Sequence, residues 1–325
     1  MSLEAVTRVE KDKILIESGD CAVTILPQFG GKISSILVRG HELLQSPLTA
    51  CAPRTRKMAF EASDASGWDE CLPSVAGCTV DTVKGPVEIP DHGDLWRVEW
   101  QTVASGEGPL TLRGECFSLP LRLDRTTTLA ETEKGWRLSL GYTVTNTGGV
   151  PVPWSWSAHS LFVAEAGDRI VLPDSIHDLR LEGGVGDRLG KRDDRVAWPI
   201  AKLANGSQMD LSVAQPPDTG TGDKLFAGPL SAAENWGALE RLRAGVRIKV
   251  SFDPAATPYL GLWACYGGWP EKPGPKQVCV ALEPATAFVD SLAILGPWSL
   301  VLLPGDSFFW PIIVDLELLQ DVTHA

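Results

Sequence analysis

The sequence predicts an all-β chain, a large antiparallel β-sandwich, from three features of its 325 residues. Apolar and polar residues alternate with a period of two over long runs, the mark of strands with one face on a core and the other in water. The 32 Gly and 24 Pro are spread evenly, which suits many short strands and turns and does not suit long helices. No alternation of strand and helix patterns is visible, so a doubly wound parallel sheet is not expected.

The clearest strands are Trp136–Thr145, where Trp136, Leu138, Leu140, Tyr142 and Val144 alternate with polar or small residues, and Val246–Asp253, with Val246, Ile248, Val250 and Phe252 on one face. Weaker runs occur at Lys13–Leu26, Ile33–Val38, Leu95–Thr102, Leu110–Phe117, Leu121–Leu129, Lys276–Glu283 and Phe308–Leu319. Gly30-Gly31, Asn146-Thr147-Gly148-Gly149, Asn205-Gly206 and Ala244-Gly245 supply the reversals. Around Ser231–Gly245 two patterns compete. Ser231 with Glu234 has the form of a capping box opening a helix, whereas Ala244-Gly245 suits the turn of a hairpin, and the hairpin is the reading adopted. Residues 183–195 and 215–223 are polar loops. Strand patterns resume directly after each, so one unit over residues 1–325, with a core over about 12–319, is expected.

Hydrophobic residues make up 44% and charged residues 22%, which excludes a disordered chain. The net charge of −12 repels phosphate backbones and anionic lipid, so neither a nucleic acid nor a membrane surface is an expected partner. Seven cysteines, an odd number without a CxxC, point to reduced thiols and a cytoplasmic setting. Met1–Lys13 lacks the apolar segment of a secretory leader, and Gly296, Pro297 and Pro304 interrupt the apolar stretch Leu292–Leu303.

The chemistry is expected among few residues. Of five histidines, His41 and His177 lie in polar stretches and His324 in the terminal tail. His92 precedes a glycine in Pro90–Trp96, and His159 follows the aromatic run Pro151–Ala158. Glu283 ends an apolar run before Pro284, a place where lost solvation raises a carboxylate toward the range of a general base. Twelve Trp against three Tyr is an unusual balance. Trp68, Trp96, Trp154, Trp156, Trp263, Trp269 and Trp298 stand in Gly/Pro-rich contexts, and flat indoles suit the C–H faces of sugar rings.

Together these segments resemble the aldose 1-epimerase, or galactose mutarotase-like, superfamily. Pro27–Ile33 is similar to its P-x-x-G-G-x-I turn, and Gly67–Pro73 to the segment before its first histidine. His92-Gly93 is similar to its HG, Asn146 with Pro151, Pro153 and His159 to its N-x-G…P…H segment, and Leu282-Glu283-Pro284 to the strand bearing its glutamate. The resemblance implies a β-supersandwich with a monosaccharide cleft and no metal or organic cofactor. It makes Glu283 the base on the anomeric hydroxyl, His159 the acid on the ring oxygen, and His92 an assisting hydrogen-bonding group. Asp223, Trp154, Trp263, Trp68 and Arg56 are the expected sugar contacts, in a monomer or homodimer. The sequence departs from the galactose-specific pattern. It has no G-R-x-x-N-R stretch between Leu72 and His92, and Asp223–Phe226 matches D-x-x-F only loosely.

Other readings stay open. A sugar-phosphate 1-epimerase would need a cationic clamp, for which Arg54, Arg56 and Lys57 are the candidates. A non-catalytic carbohydrate-binding protein could use the same fold. A glycosidase working through Asp69 and Glu70 is disfavoured, because neighbours in a strand point to opposite faces. Asp91, His92 and Asp94 with His159 form a metal-ligand set without tight spacing.

Overall fold

A computed structural model describes residues 5–106, 108–296 and 299–319. His324 and Trp298 lie outside the described residues.

Two antiparallel sheets dominate. The larger runs through Val6–Val9, Ile14–Ser18, Cys21–Leu26, Lys32–Val38, Trp68–Cys71, Ser157–Val163, Val278–Ala285, Tyr259–Tyr266, Thr221–Ala227, Asp178–Gly184 and Arg195–Ala197. The smaller runs through Arg169–Val171, Trp236–Arg241, Val246–Phe252, Ser307–Leu318, Gly135–Asn146, Leu121–Thr132, Leu110–Glu115 and Gln101–Ala104. Their facing apolar rows meet in one continuous core. Ile14, Ile16, Val23 and Ile25 come from one sheet, and Leu138, Leu140, Val144, Ile312 and Val314 from the other. Burying these rows is the main term holding the sheets together.

The strands with clean alternation form as expected, and burial follows the same period in Cys21–Leu26 and Val246–Phe252. The central strands of the larger sheet do not alternate. Ser157–Val163 and Val278–Ala285 are buried on both faces along almost their whole length. One face meets the core and the other underlies a cleft, which is why neither strand shows a regular alternation of apolar and charged residues.

Two expectations change in detail, and a third, the hairpin at Ala244-Gly245, forms as expected. In Leu95–Thr102 only the end is strand. Leu95–Arg97 is a 3-10 turn, because Leu95 and Trp96 are adjacent and both fully buried, which a strand packed on one face does not allow. The loop expected over 215–223 holds a 3-10 turn at Pro217–Thr219 and already enters the strand Thr221–Ala227. Ser231 and Glu234 make only half of a capping box, the Ser231 backbone N–H donating to Glu234 Oε2 at 3.1 Å, and no helix follows. The chain goes on into the hairpin of Trp236–Arg241 and Val246–Phe252 that Ala244-Gly245 favoured. The seven cysteines are all free. No described helix is long and apolar enough to cross a membrane.

Candidate functional site

Strand register builds the site. The register between Ser157–Val163 and Val278–Ala285 runs from Ser157 opposite Ala285 to Leu161 opposite Ala281, and so sets His159 opposite Glu283. On one side Asp69 stands opposite His159. On the other, Gly261 stands opposite Glu283, and Phe226 opposite Gly261. These residues form one row across five strands, on the face turned away from the smaller sheet. Lys224 and Trp263 face each other in a neighbouring row.

His92 reaches the row from a turn. Its backbone is left-handed, at φ 59°, and Gly93 follows at φ 68°. A Cβ on Gly93 would fall 2.3 Å from the Leu72 carbonyl oxygen, so only glycine lets this turn lie against Leu72. Arg97 fixes the loop by donating to the carbonyls of Asp91, at 2.8 Å, and of Gly93. The His92 ring then stacks on Phe60, with centroids 3.8 Å apart, and stands edge-on to His159 at 4.9 Å. Asp91 Oδ2 lies 2.7 Å from His92 Nδ1, which leaves Nε2 as the other ring nitrogen.

The three residues expected to carry the chemistry line one open cavity of about 200 Å³, with Phe60, Lys224, Trp263, Trp269, Gln277 and Asp290 among its walls. Trp263 is held by its indole N–H, which donates to Gln277 Oε1 at 3.1 Å. Glu283 is fully buried. Its Oε2 accepts from the Lys224 ammonium, and its Oε1 has no partner. Asp290 Oδ1 is 3.8 Å from the same ammonium. Burial pushes the Glu283 carboxyl up and Lys224 pulls it back. Burial works to lower Lys224, but Asp290 and Glu283 outweigh it and raise the ammonium above its ordinary value. His159 is held well below the usual imidazole range by burial and by the positive groups nearby, and its Nδ1 has no partner.

Several expected contacts lie elsewhere. Trp68 and Trp154 are core residues, Trp68 edge-on to Phe162 and Trp154 stacked on Trp310 at 5.7 Å. Asp223 points to the opposite face of its strand from Lys224, where Arg188 Nε donates to it at 3.0 Å. Arg56 is exposed and lies over the Phe117 ring, while Arg54 is paired with buried Asp64. The cationic clamp is therefore absent from the cavity walls. Asp69 and Glu70 do point apart, Asp69 toward Lys32 at 2.6 Å and Glu70 toward Arg125 of the smaller sheet at 3.0 Å. The metal-ligand set is not assembled, because Asp94 Oδ2 is taken by the backbone N–H groups of Phe117 and Ser118 and by the Ser118 hydroxyl.

Sequence reasoning missed Phe60, Lys224, Gln277 and Asp290. A signal existed for Lys224. In Thr221–Ala227 the neighbours Asp223 and Lys224 must face opposite ways, so only one of them can serve the site.

No protein-family model matches the chain, and no curated protein matches it. Solved structures do. The chain is similar to the Slr1438 protein of Synechocystis sp. PCC 6803, at 15% identity over 98% of both chains with a TM-score of 0.66. It is similar to a galactose mutarotase-like protein from Lactobacillus casei, at 17% identity over 94% of this chain and 100% of that one, with a TM-score of 0.64. It is also similar to a galactose mutarotase related enzyme from Lactobacillus acidophilus, at 15% identity over 95% and 98% of the two chains, with a TM-score of 0.64. At these identities the likeness shows a shared fold, the galactose mutarotase-like β-sandwich.

Proposed function

We propose that the protein is an aldose 1-epimerase-type isomerase that interconverts the α and β anomers of a free monosaccharide. The observation that carries this reading is the meeting of Glu283, His159 and His92, far apart in sequence, around one cavity walled by Phe60, Trp263 and Trp269. Exchanging anomers needs one group to take a proton and another to give one at neighbouring oxygens of one ring. Glu283 Oε1, buried and unpartnered, takes the proton of the anomeric hydroxyl. The C1–O1 bond becomes a carbonyl as the C1–ring-oxygen bond breaks, and the electron pair passes to the ring oxygen, which accepts a proton. Rotation about C1–C2 and reversal of the steps give the other anomer.

The geometry favours a different division between the imidazoles from the one the resemblance implies. His159 is held toward its neutral form by burial and by the positive groups nearby, and a neutral imidazole is a poor proton donor. His92 has the Asp91 carboxylate on Nδ1, which holds a proton there, and when the ring takes up a second proton it presents Nε2–H to the ring oxygen. We assign the donor role to His92 and make His159 a hydrogen-bonding partner of the sugar beside Glu283.

A free sugar fits better than a phosphorylated one. Among the described residues the only ammonium or guanidinium group on the cavity wall is Lys224, already shared between Glu283 and Asp290, and Asp91 adds a further acidic group. A dianionic phosphate would meet no unpaired cation there. Polarimetry of freshly dissolved aldoses, free and phosphorylated, tests the reading. Faster mutarotation of a free aldose, lost in Glu283→Gln with sugar binding retained, is expected. Rates equal to the spontaneous ones for every sugar overturn it.

A further inference from the structure

We propose that Lys224 is a positioning residue for proton transfer: its ammonium keeps Glu283 a carboxylate and engages Oε2, which leaves Oε1 as the atom presented to the sugar. The inference rests on the epimerase reading above. Its basis is a gap in the row of side chains. Lys224 is in register with Trp263, one row from Glu283, and Gly261 stands between Glu283 and Phe226. Because Gly261 has no side chain, Glu283 Oε2 and the edge of the Phe226 ring share the space over it, and there Oε2 accepts from the Lys224 ammonium, which lies 5.4 Å from the centre of the Phe226 ring.

The groups around Glu283 leave no substitute. Asp290, from the loop after the strand, is of like charge, and His159 beside it in the row is held neutral. Cys71 on Trp68–Cys71 and Cys279 on the same strand as Glu283 are thiols that burial keeps protonated. Lys32 is engaged with Asp64 and Asp69. His92 is an opposite charge only when protonated, and in the cycle it gives that proton away. Among the described residues Lys224 alone offers Glu283 a permanent hydrogen-bonded cation. A fully buried carboxylate without one is neutral at ordinary pH, and a neutral carboxyl takes no proton.

Lys224→Met keeps the stem and removes the charge, whereas Lys224→Arg restores a cation. Each is compared with wild type by polarimetric rate against pH, by sugar KM, and by ¹³C NMR of the carboxyl carbon absent from Glu283→Gln. For Lys224→Met the expected result is an acid limb of kcat moved up by more than one pH unit, at least tenfold less activity at pH 7 with recovery toward pH 9, and a KM within about threefold. The Glu283 carbon should titrate higher by the same amount, and Lys224→Arg should regain most of the neutral activity. An unmoved Glu283 titration and acid limb in a folded Lys224→Met protein overturn the proposal. The NMR titration reads Lys224 even without turnover. Wild-type protein that fails to speed any sugar, with the Glu283 titration still shifted in Lys224→Met, defeats the epimerase reading and leaves the electrostatic coupling standing.

Discussion

Gly261 and Glu283 face each other across two hydrogen-bonded strands, and a Cβ on Gly261 would stand 3.1 Å from Glu283 Oε2 and 3.2 Å from Glu283 Cβ. That is closer than ordinary van der Waals contact, so a methyl there must push the carboxylate by a few tenths of an ångström. Gly261 has ordinary strand backbone, hence Gly261→Ala brings no conformational strain. Displacements of about 1 Å in a reacting group cost about 10²-fold in rate. Gly261→Ala should therefore fold with a melting temperature near that of wild type and lose about tenfold in kcat. Wild-type kcat in the folded variant would show that the spacing in this row does not govern the chemistry.

The aromatic residues divide between site and core, and two substitutions separate them. Trp263 lines the cavity with its indole N–H held by Gln277, while Trp154 is buried against Trp310. Trp263→Ala should raise the sugar KM by tenfold or more and cost less stability than the loss of a core indole, because the residue is only partly buried. Trp154→Ala should cost about 3–5 kcal/mol of stability, as for other large aromatics removed from a core, with KM near wild type in the folded fraction. Urea unfolding alongside sugar kinetics gives both readouts, and the opposite pattern would return Trp154 to the site.

What could be read from the sequence depended on whether the signal was local. His92 and Glu283 stood out through their immediate neighbours, a glycine that lets a turn close and a proline after an apolar run. The hairpin at Ala244-Gly245 and the long alternating strands were legible for the same reason. Lys224 was not, because whether residue 223 or 224 faces the cleft depends on strand register, which is set by long-range pairing. Neighbouring Gly and Pro do not say which Trp is core, so Trp68 and Trp154 looked like sugar platforms until the second sheet covered them. The alternation at Leu95–Thr102 misled because Asp94, by binding the N–H groups of residues 117 and 118, fixes a turn just where the pattern begins.

Between the sheets lies a buried polar cluster that no motif predicted. Glu70 Oε1 accepts from Arg125 at 3.0 Å and from the Tyr142 hydroxyl at 2.9 Å, and Oε2 accepts from the Trp156 indole at 3.1 Å. Glu70 belongs to the strand that also carries Asp69 beside His159, so the cluster anchors the floor of the cleft. Removing one partner of a buried ion pair costs about 3–5 kcal/mol, because the other is left uncompensated, whereas removing both charges costs far less. Arg125→Met should destabilise by about that amount. Adding Glu70→Gln should recover part of the loss, since the amide carries no charge and keeps one carbonyl oxygen to accept from the Trp156 indole or the Tyr142 hydroxyl. A double variant as unstable as the sum of the single ones would deny the coupling.

The buried His159 makes a prediction about acid stability whose sign follows from linkage. Burial, His92 and Lys224 hold the folded imidazole well below its ordinary value of 6.5. On acidification the unfolded chain therefore takes up a proton near pH 6.5 that the folded chain refuses. Stability from this group is complete above that pH and falls as the pH drops below it, by at most about 1.4 kcal/mol per pH unit, until the folded imidazole titrates as well. His159→Gln has no such proton to take up. Between pH 7.5 and pH 5 the unfolding free energy of wild type should fall more steeply than that of His159→Gln, with the two curves parallel above pH 7. Curves parallel over the whole range would mean that the folded imidazole titrates as the unfolded one does, and a wild-type curve that falls less steeply than that of His159→Gln would mean that the imidazole is protonated in the folded protein. In that case His159 would be the proton donor after all, and the roles assigned here to the two imidazoles would be exchanged.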